Sequence, residues 1–267
     1  MATIIAIANQ KGGVGKTTTA VNLAACIADA KVRRRVLMVD MDPQGNATMG
    51  CGVDKHRLKA TCYEVLIGET PVRQALVYAE AANSQVLGAN GDLTGAEVAL
   101  LDLEHAQTRL QRILAEVDDE FDYALIDCPP SLNMLTVNAL TAAHGVIIPI
   151  QCEYYALEGL SALLDTVEKV RRTTNPGLRI EGLLRTMYDN RNRLANEVSA
   201  QLIEHFGHAV YEAVIPRNVR LAEAPSHGLP ITVYDKNSKG AEAYRALAQE
   251  MLKRTAKAAR SGQRLSA

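Results

Sequence analysis

A basic, glycine-rich segment near the start of the chain is the strongest candidate for chemistry. It reads KGGVGKT over residues 11–17, between an apolar run and a helical pattern. Backbone N–H groups of such a loop can surround phosphates at a helix N-terminus, and its glycines permit the tight turn. Lys16 is expected to reach the β- and γ-phosphates, and the Thr17 hydroxyl to bind Mg²⁺. The expected phosphate-binding residues are Lys11, Gly12, Gly13, Val14, Gly15, Lys16, Thr17 and Thr18.

The loop departs from the standard G-x-x-x-x-G-K-[ST] pattern, because Gln10 occupies the first glycine position and Lys11 follows it. A second lysine at the start of the loop has no obvious use within one subunit. Its ammonium group could supply further charge to a phosphate across a dimer interface. The sequence therefore indicates a nucleotide site that two subunits share.

Three aspartates follow apolar runs that are typical of buried strands. Asp40 and Asp42 come after the second run, and Asp127 ends a later one. Ligands of open α/β sheets bind beyond the carboxyl ends of the strands, so these side chains are expected on the same rim as the loop. Asp127 is expected to hold Mg²⁺ through water, and Asp40 to support the loop and the outer shell of the ion.

Apolar runs alternate with longer amphipathic stretches along the chain, which predicts an α/β fold with a doubly wound, mostly parallel sheet and helices on both faces. Residues 43–92 are the least regular and are expected to form loops and short helices. The predicted strands cover 3–8, 36–39, 123–126, 146–150, 180–186 and 210–215. The predicted helices cover 16–30, 95–117, 132–143, 156–174, 193–206 and 239–258. We expect one domain over residues 1–258 and a basic, flexible tail over 259–267.

Composition excludes several classes of protein. The chain has 267 residues, is 48% hydrophobic and carries a net charge of -1, which excludes collagen-like and strongly charged disordered chains. Its five cysteines show no pairing-like spacing, which favours a reducing compartment without disulfides. The uncharged stretch 128–152 contains three prolines and several polar residues, so we interpret it as a buried strand-helix-strand unit rather than a membrane helix.

Charge is distributed unevenly along the chain. From Lys236 to the end there are eight Lys or Arg and two Glu, a local charge of +6, so the residues before it carry -7. A near-zero total can therefore conceal a basic surface. The alternative is that this segment is only a solvated helix end.

Longer blocks of sequence extend the pattern beyond the loop. They read VLMVDMDPQGNAT (36–48), YALIDCPPSLNMLTVNAL (123–140), VIIPIQCEYYALEGL (146–160) and VIPRNVRLAEAPSHGLPI (214–231). With the KGGVGKT loop, a deviant Walker A motif, these blocks resemble the ParA/MinD family of ATPases, and most closely its short chromosomal Soj branch. Two residues more than we expect for close relatives occur around Lys31–Arg35, and we interpret them as a longer loop.

The resemblance implies roles for individual residues. Lys11, Lys16 and Asp42 would be catalytic, with Asp42 orienting or activating the attacking water; the alternative for Asp42 is a simple turn before Pro43. Pro216 and Asn218 occupy positions where the family contacts adenine. Met187 is expected either to pack on the base or to belong to the core. Cys128 and Cys152 are interpreted as small buried residues rather than iron–sulfur ligands.

The resemblance also implies partners. A Mg²⁺-dependent ATPase with weak intrinsic turnover would form an ATP-sandwich homodimer that binds double-stranded DNA non-specifically in the cytoplasm, on the nucleoid. A ParB-type centromere-binding protein would stimulate hydrolysis and release it. The expected DNA-binding residues are Arg191, Arg217, Arg220, Lys236 and Lys239, each of which could instead be an ordinary solvated side chain. The segment 250–267 has only one Met and two Leu among mostly Ala and basic residues, whereas a membrane-binding helix has large apolar residues along one face, so no membrane partner is expected.

Two other functions remain open from the sequence. A protein with the same fold could position a cargo other than DNA and would also hydrolyse ATP. A metabolic ligase related to cobyrinate or dethiobiotin enzymes would need further substrate-binding residues, and no such motif is evident.

Overall fold

The computed structural model describes residues 1–29 and 34–260. One eight-stranded sheet runs through it in the order β3-β4-β2-β5-β1-β6-β7-β8. Only the β3–β4 pair is antiparallel, and the other six pairings are parallel. The strands are β1 Thr3–Ile7, β2 Val36–Asp40, β3 Leu76–Ala79, β4 Ser84–Leu87, β5 Tyr123–Asp127, β6 Gly145–Gln151, β7 Arg179–Tyr188 and β8 Val210–Pro216. The predicted doubly wound α/β fold is therefore confirmed.

Helices cover both faces of the sheet. They are α1 Lys16–Ala28, α2 Asn46–Gly50, α3 Cys62–Ile67, α4 Val72–Ala75, α5 Ala96–Ala99, α6 Arg109–Ala115, α7 Met134–Ala142, α8 Ala156–Thr173, α9 Arg193–Phe206, α10 Val219–Glu223, α11 Ile231–Tyr234 and α12 Lys239–Arg260. The tail expected from residue 259 thus begins inside α12, and residues 261–267 lie outside the described part. The same is true of residues 30–33, which include the end of the predicted first helix and most of the longer loop.

Alternating side chains of the central strands fill two cores. Ile4 and Ala6 of β1 pack into the core beneath α7 and α8, whereas Ile5 and Ile7 pack into the core beneath α1 and α12. Because both faces are covered, the strands read as nearly continuous apolar runs rather than alternating ones. All five cysteines are buried in these layers and unpaired.

Of two predictions about the region before β5, one is incomplete and the other is wrong. Residues 43–92 do contain the expected loops and short helices. They also include the β3–β4 hairpin, which the short and partly polar strands concealed. The single helix expected over 95–117 is broken, because Leu103 is extended and His105 is left-handed at φ 60°. The Asn138 side chain compensates for the break, since it donates to the Ala106 carbonyl and accepts from the Leu110 N–H.

The outer edge of β8 is covered by side chains. The Glu250 carboxylate accepts the N–H groups of Glu212 and Ala213, each over 3.0 Å. Arg254 donates to the Val210 carbonyl over 3.1 Å. From the paired strand β7, Arg185 donates to the Tyr211 carbonyl over 2.8 Å, where the β7–β8 register shifts. Backbone groups that have no neighbouring strand are thus satisfied locally. No helix in the described ranges combines the length and the apolar character needed to cross a membrane.

Candidate nucleotide-binding site

The loop between β1 and α1 has the backbone of a phosphate cradle. Gly13 and Gly15 adopt φ values of 73° and 89°, which side chains with a Cβ rarely tolerate. An added Cβ at Gly12 or Gly13 would meet no atom within 4 Å, so the loop opens onto free space there. In the described part of the chain no side chain caps the N-terminus of α1. The first-turn N–H groups can therefore bind an anion.

Two residues that the sequence analysis missed hold this loop in place. Asn9 donates to the Pro149 carbonyl over 2.8 Å, and its side-chain oxygen accepts the Lys11 N–H over 2.9 Å. Thr186 donates to the Val14 carbonyl over 2.8 Å from the end of β7. Polar residues at the ends of the apolar runs were the available signal, because strand ends converge on this rim.

Lys16 is almost completely buried within the loop. Its ammonium group donates to the Lys11 carbonyl over 3.2 Å. Burial lowers the pKa of Lys16, and the nearby Asp127 carboxylate partly offsets that effect. A desolvated ammonium group lacks the water that would weaken its attraction to a phosphate. Lys16 is therefore placed to bind phosphate strongly.

Thr17 and Asp127 meet at the point where β5 ends. The Thr17 hydroxyl donates to Asp127 Oδ2 over 2.7 Å. The other oxygen, Oδ1, is buried and has no hydrogen-bond partner within the described residues. Burial, reinforced by Asp40, raises the pKa of Asp127 well above its usual range. A cation with its water shell would satisfy that oxygen and relieve the buried charge, so these two residues fit a Mg²⁺ site.

The donor set also suits magnesium rather than a metal bound by the protein alone. Among the described residues, no group of three or more His, Cys, Asp or Glu side chains is arranged to hold a metal. Mg²⁺ is usually held by one or two carboxylates together with substrate phosphates and water. Thr17 and Asp127, beside the open cradle of the loop, would form the protein's share of such a site.

Asp40 and Asp42 lie on the same rim, at the end of β2. Asp40 is fully buried, and burial raises its pKa to about 6. Its Oδ1 accepts the Asp42 N–H over 3.1 Å. Asp42 Oδ1 accepts the Gln44 N–H over 2.9 Å, so the turn foreseen as an alternative does form. This turn uses one oxygen of Asp42 and leaves the second outside it.

Lys11 points away from its own loop. Its ammonium group forms an ion pair of 2.7 Å with Glu153, just beyond β6, and both side chains are partly exposed. Tyr154 and Tyr155, the next two residues, are largely exposed and stack edge to face. The lysine that distinguishes this loop thus lies at the surface, beside an exposed aromatic pair.

The expected adenine contacts lie at the ends of β7 and β8. Met187 has φ 48°, which is unusual for a residue with a side chain, and it follows the Thr186 that holds the loop. Pro216 pairs in register with Tyr188, and the Asn218 side chain caps α10 by accepting the Leu221 N–H over 3.3 Å. The three side chains are half-buried beside the rim that carries the loop.

The expected DNA-binding residues lie along the chain between the end of β7 and the start of α12, and two of them are ion-paired. Arg191 binds both oxygens of Asp189, and this contact lowers the pKa of Asp189 to about 2. Arg220 pairs with Glu223 over 2.9 Å and lies 3.6 Å from Asp235. Within the described ranges, no ion pair involves the three remaining residues, which are Arg217, Lys236 and Lys239.

Known proteins resemble this chain over nearly its full length. A family model described as an AAA domain matches residues 2–180. The chromosome partitioning protein ParA of Myxococcus xanthus is 51% identical over 251 residues, which cover 94% of this chain and 88% of that protein. The sporulation initiation inhibitor protein Soj of Bacillus subtilis is also 51% identical over 251 residues, which cover 94% of this chain and 98% of Soj.

A solved structure also resembles this chain in its fold. Cobyrinic acid a,c-diamide synthase from Mycobacterium smegmatis, with a bound ATP analogue and magnesium, is 39% identical to this chain, with a TM-score of 0.84. The similarity covers 96% of each chain. The expected resemblance is confirmed by these relatives together with the deviant phosphate loop. The chain belongs to the ParA/Soj family of chromosome-partitioning ATPases.

Proposed function

We propose that this protein is an ATP-dependent switch that partitions chromosomes or plasmids. The observation that carries the proposal is the contact of the Thr17 hydroxyl with Asp127 beside the buried Lys16, at the mouth of an open phosphate cradle. The reaction is ATP hydrolysis to ADP and phosphate. Transfer of a phosphoryl group needs mainly positioning and charge neutralisation, which is what these residues can supply.

Each residue has a defined task in this proposal. The loop from Gly12 to Thr18 binds the phosphates, and Lys16 neutralises charge on the β- and γ-phosphates. Asp42 orients the attacking water and accepts its proton. Magnesium, when bound, would neutralise charge between the phosphates, held by Thr17 and, through water, by Asp127. Met187, Pro216 and Asn218 contact the adenine base.

Lys11 makes the site depend on a second subunit. It is engaged with Glu153 at the surface, so it can exchange that partner for a phosphate of the opposite subunit in an ATP-sandwich dimer. An exposed ion pair is weak, typically below about 1 kcal/mol, so the exchange costs little. Intrinsic turnover is slow in this proposal, because a switch that hydrolysed ATP rapidly would not stay dimeric.

The dimer would bind double-stranded DNA through backbone phosphates. Arg217, Lys236 and Lys239 would bind DNA phosphates directly, while Arg191 and Arg220 would exchange their carboxylate partners for phosphate. Such binding is electrostatic and does not read sequence. A ParB-type protein would stimulate hydrolysis and release the ATPase from DNA. In this proposal the protein acts in the cytoplasm, on the nucleoid. Residues 1–258 would act as one ATPase domain.

Two other functions can be distinguished from partition by what they require. A cargo-positioning ATPase would need no ParB-type protein, and a ParB-like gene next to this one would favour partition. The name of the Mycobacterium smegmatis protein raises amide synthesis as a second alternative. Amide synthesis predicts that cobyrinic acid and an ammonia donor accelerate ATP turnover, whereas partition predicts acceleration by DNA and a ParB-type protein.

The deciding experiment is co-sedimentation with plasmid DNA in ATP, in ADP and without nucleotide, with and without a candidate ParB protein. We expect DNA binding only with ATP, and release from DNA when ParB is added. Lys16→Ala is the control, because it should abolish nucleotide binding while leaving the fold intact. Equal DNA binding in all three nucleotide states would contradict the proposed switch.

A further inference from the structure

The segment that carries Asp42 is fixed by the hydroxyl group of a buried residue. Thr48 lies on α2 and is fully buried. Its hydroxyl donates to Asp40 Oδ2 over 2.7 Å, and its backbone N–H donates to the same oxygen over 2.8 Å. Thr48 thus closes the turn from the end of β2 back onto the first aspartate.

The same hydroxyl also accepts a hydrogen bond from the neighbouring strand. The Ala89 N–H, just beyond β4, donates to Thr48 Oγ1 over 2.9 Å. One hydroxyl therefore joins the ends of β2 and β4. It donates to the Asp40 carboxylate and accepts from the Ala89 N–H. Serine could make both bonds, whereas valine has the same shape as threonine and could make neither.

These bonds continue to the residue proposed to orient water. Asp40 has one oxygen on Thr48, and its other oxygen accepts the Asp42 N–H over 3.1 Å. The chain of contacts runs from Ala89 through Thr48 and Asp40 to the Asp42 backbone, and all four residues are buried.

Close packing prevents other groups from replacing the hydroxyl. A Cβ on Gly45 would lie 2.5 Å from the Ala89 carbonyl oxygen, and a Cβ on Gly88 would lie 3.0 Å from Thr48 Cγ2. The α2 segment is thus pressed against the end of β4 at Gly45 and at Thr48. If the hydroxyl were absent, Asp40 would keep the Thr48 N–H, but the hydroxyl bond would be lost and the Ala89 N–H would have no acceptor there. The segment that carries Asp42 would then be held less firmly against the end of β4.

We propose that Thr48 is a positioning residue for ATP hydrolysis, acting through Asp40 to hold Asp42 at the distance that the attacking water requires. This inference rests on the ATPase function proposed above. It assigns Thr48 no contact with nucleotide. Removal of its hydroxyl should therefore impair the chemical step and spare ATP binding, since small misplacements of a catalytic group cost about 100-fold in rate.

The test compares Thr48→Val with Thr48→Ser in single-turnover phosphate release with Mg²⁺ and plasmid DNA. Valine should lower the rate about 10- to 100-fold, and serine should retain at least about one third of it. Binding of a non-hydrolysable ATP analogue should change less than about 3-fold in both variants. Thr141→Val is the matched control. Thr141 lies on α7, and its buried hydroxyl forms a 2.7 Å hydrogen bond with the Thr174 hydroxyl, so the substitution also removes a buried hydroxyl.

The outcomes separate the two proposals. If the unmodified protein releases no phosphate under any condition, the proposed ATPase function fails. If the unmodified protein does release phosphate, the test of Thr48 can be read. The role of Thr48 is refuted if Thr48→Val binds the analogue and hydrolyses ATP as fast as the unmodified protein. An equal decrease in rate in Thr141→Val and Thr48→Val, or failure of Thr48→Val to bind the analogue, would also refute it. Thermal melting of every variant identifies any that fails to fold. If Thr48→Val does not fold, Thr48→Ser carries the test, and a serine rate below about one third overturns the proposal.

Discussion

Lys11 Nζ lies 2.7 Å from Glu153 Oε2, so the first lysine of the phosphate loop is held by a residue beyond β6. Lys16, the second lysine, is buried, and its ammonium group donates to the Lys11 carbonyl of the same loop. One loop thus presents two ammonium groups in opposite environments. The buried one suits phosphates of its own subunit, and the exposed one suits a partner.

Lys11→Ala should separate nucleotide binding from turnover. ATP affinity should fall less than about 3-fold, because Lys16 and the backbone cradle remain. Turnover should fall at least about 1000-fold, as when a charge supplied across an interface is removed. Equilibrium ATP binding and phosphate release measure the two effects. Glu153→Gln is the control, since it breaks the same ion pair and keeps the lysine. A Lys11→Ala protein with normal turnover would contradict the shared site.

Asp42→Ala should trap the ATP-bound dimer on DNA. Without the carboxylate the attacking water is not oriented, so ATP persists and the dimer with it. Size-exclusion chromatography in ATP measures the dimer, which should last at least about ten times longer than that of the unmodified protein.

Asp42→Asn distinguishes chemistry from a structural turn. Its amide oxygen can still accept the Gln44 N–H, so the turn stays while the charge is removed. If Asp42 acts in catalysis, Asn should trap the dimer as Ala does. Normal turnover in Asp42→Asn would assign Asp42 to the turn alone.

Arg220→Ala should weaken DNA binding equally on all sequences. Removing one phosphate contact lowers the slope of log K against log salt concentration by about 0.9. The slope is measured by titrating binding at several salt concentrations on two unrelated duplexes. Arg172→Ala is the matched control, since it too removes an exposed arginine paired with a glutamate, on α8. An unchanged slope in Arg220→Ala would exclude a direct contact.

His144 should make stability depend on pH. Its Nδ1 accepts the Ile4 N–H over 2.9 Å, which requires the neutral ring, and burial lowers its pKa below 6.5. Below pH 6.5 the unfolded chain therefore binds a proton that the folded protein resists. The free energy of unfolding should decrease as pH falls through 6.5, by up to about 1.4 kcal/mol per pH unit from this group, until its folded pKa is reached.

Urea denaturation between pH 5 and 8 measures that slope. His144→Gln should be less stable at pH 8 but should lack this part of the pH dependence. His56→Gln, at an exposed histidine, should keep the full slope. An identical slope in His144→Gln and the unmodified protein would rule out His144 as its source.

Much of the fold could be predicted from local pattern. The strands that carry Ile5 and Leu125 are covered on both faces, so their sequences are apolar throughout and easily recognised. The β3–β4 hairpin lies at the edge and is partly exposed, so its sequence lacks that signal. The break at His105 depends on Asn138, 33 residues later in the chain, and local periodicity carries no information about it.

In the site, too, residues within local motifs could be predicted, whereas residues that act through contacts distant in sequence could not. The loop and the three aspartates were evident, because each is tied to a strand end in the sequence. Glu153, Thr186 and Thr48 were missed because their roles depend on which strand ends become neighbours. Only the sheet order places the end of β4 beside that of β2 and makes the Ala89–Thr48 bond possible.

The covered edge of β8 has a consequence for how two copies of this protein can meet. An uncovered edge strand would offer unpaired backbone groups to a strand of a second copy. Here an incoming strand would first have to displace the Glu250 carboxylate and the guanidinium group of Arg254. These two side chains therefore oppose the pairing of copies through this edge.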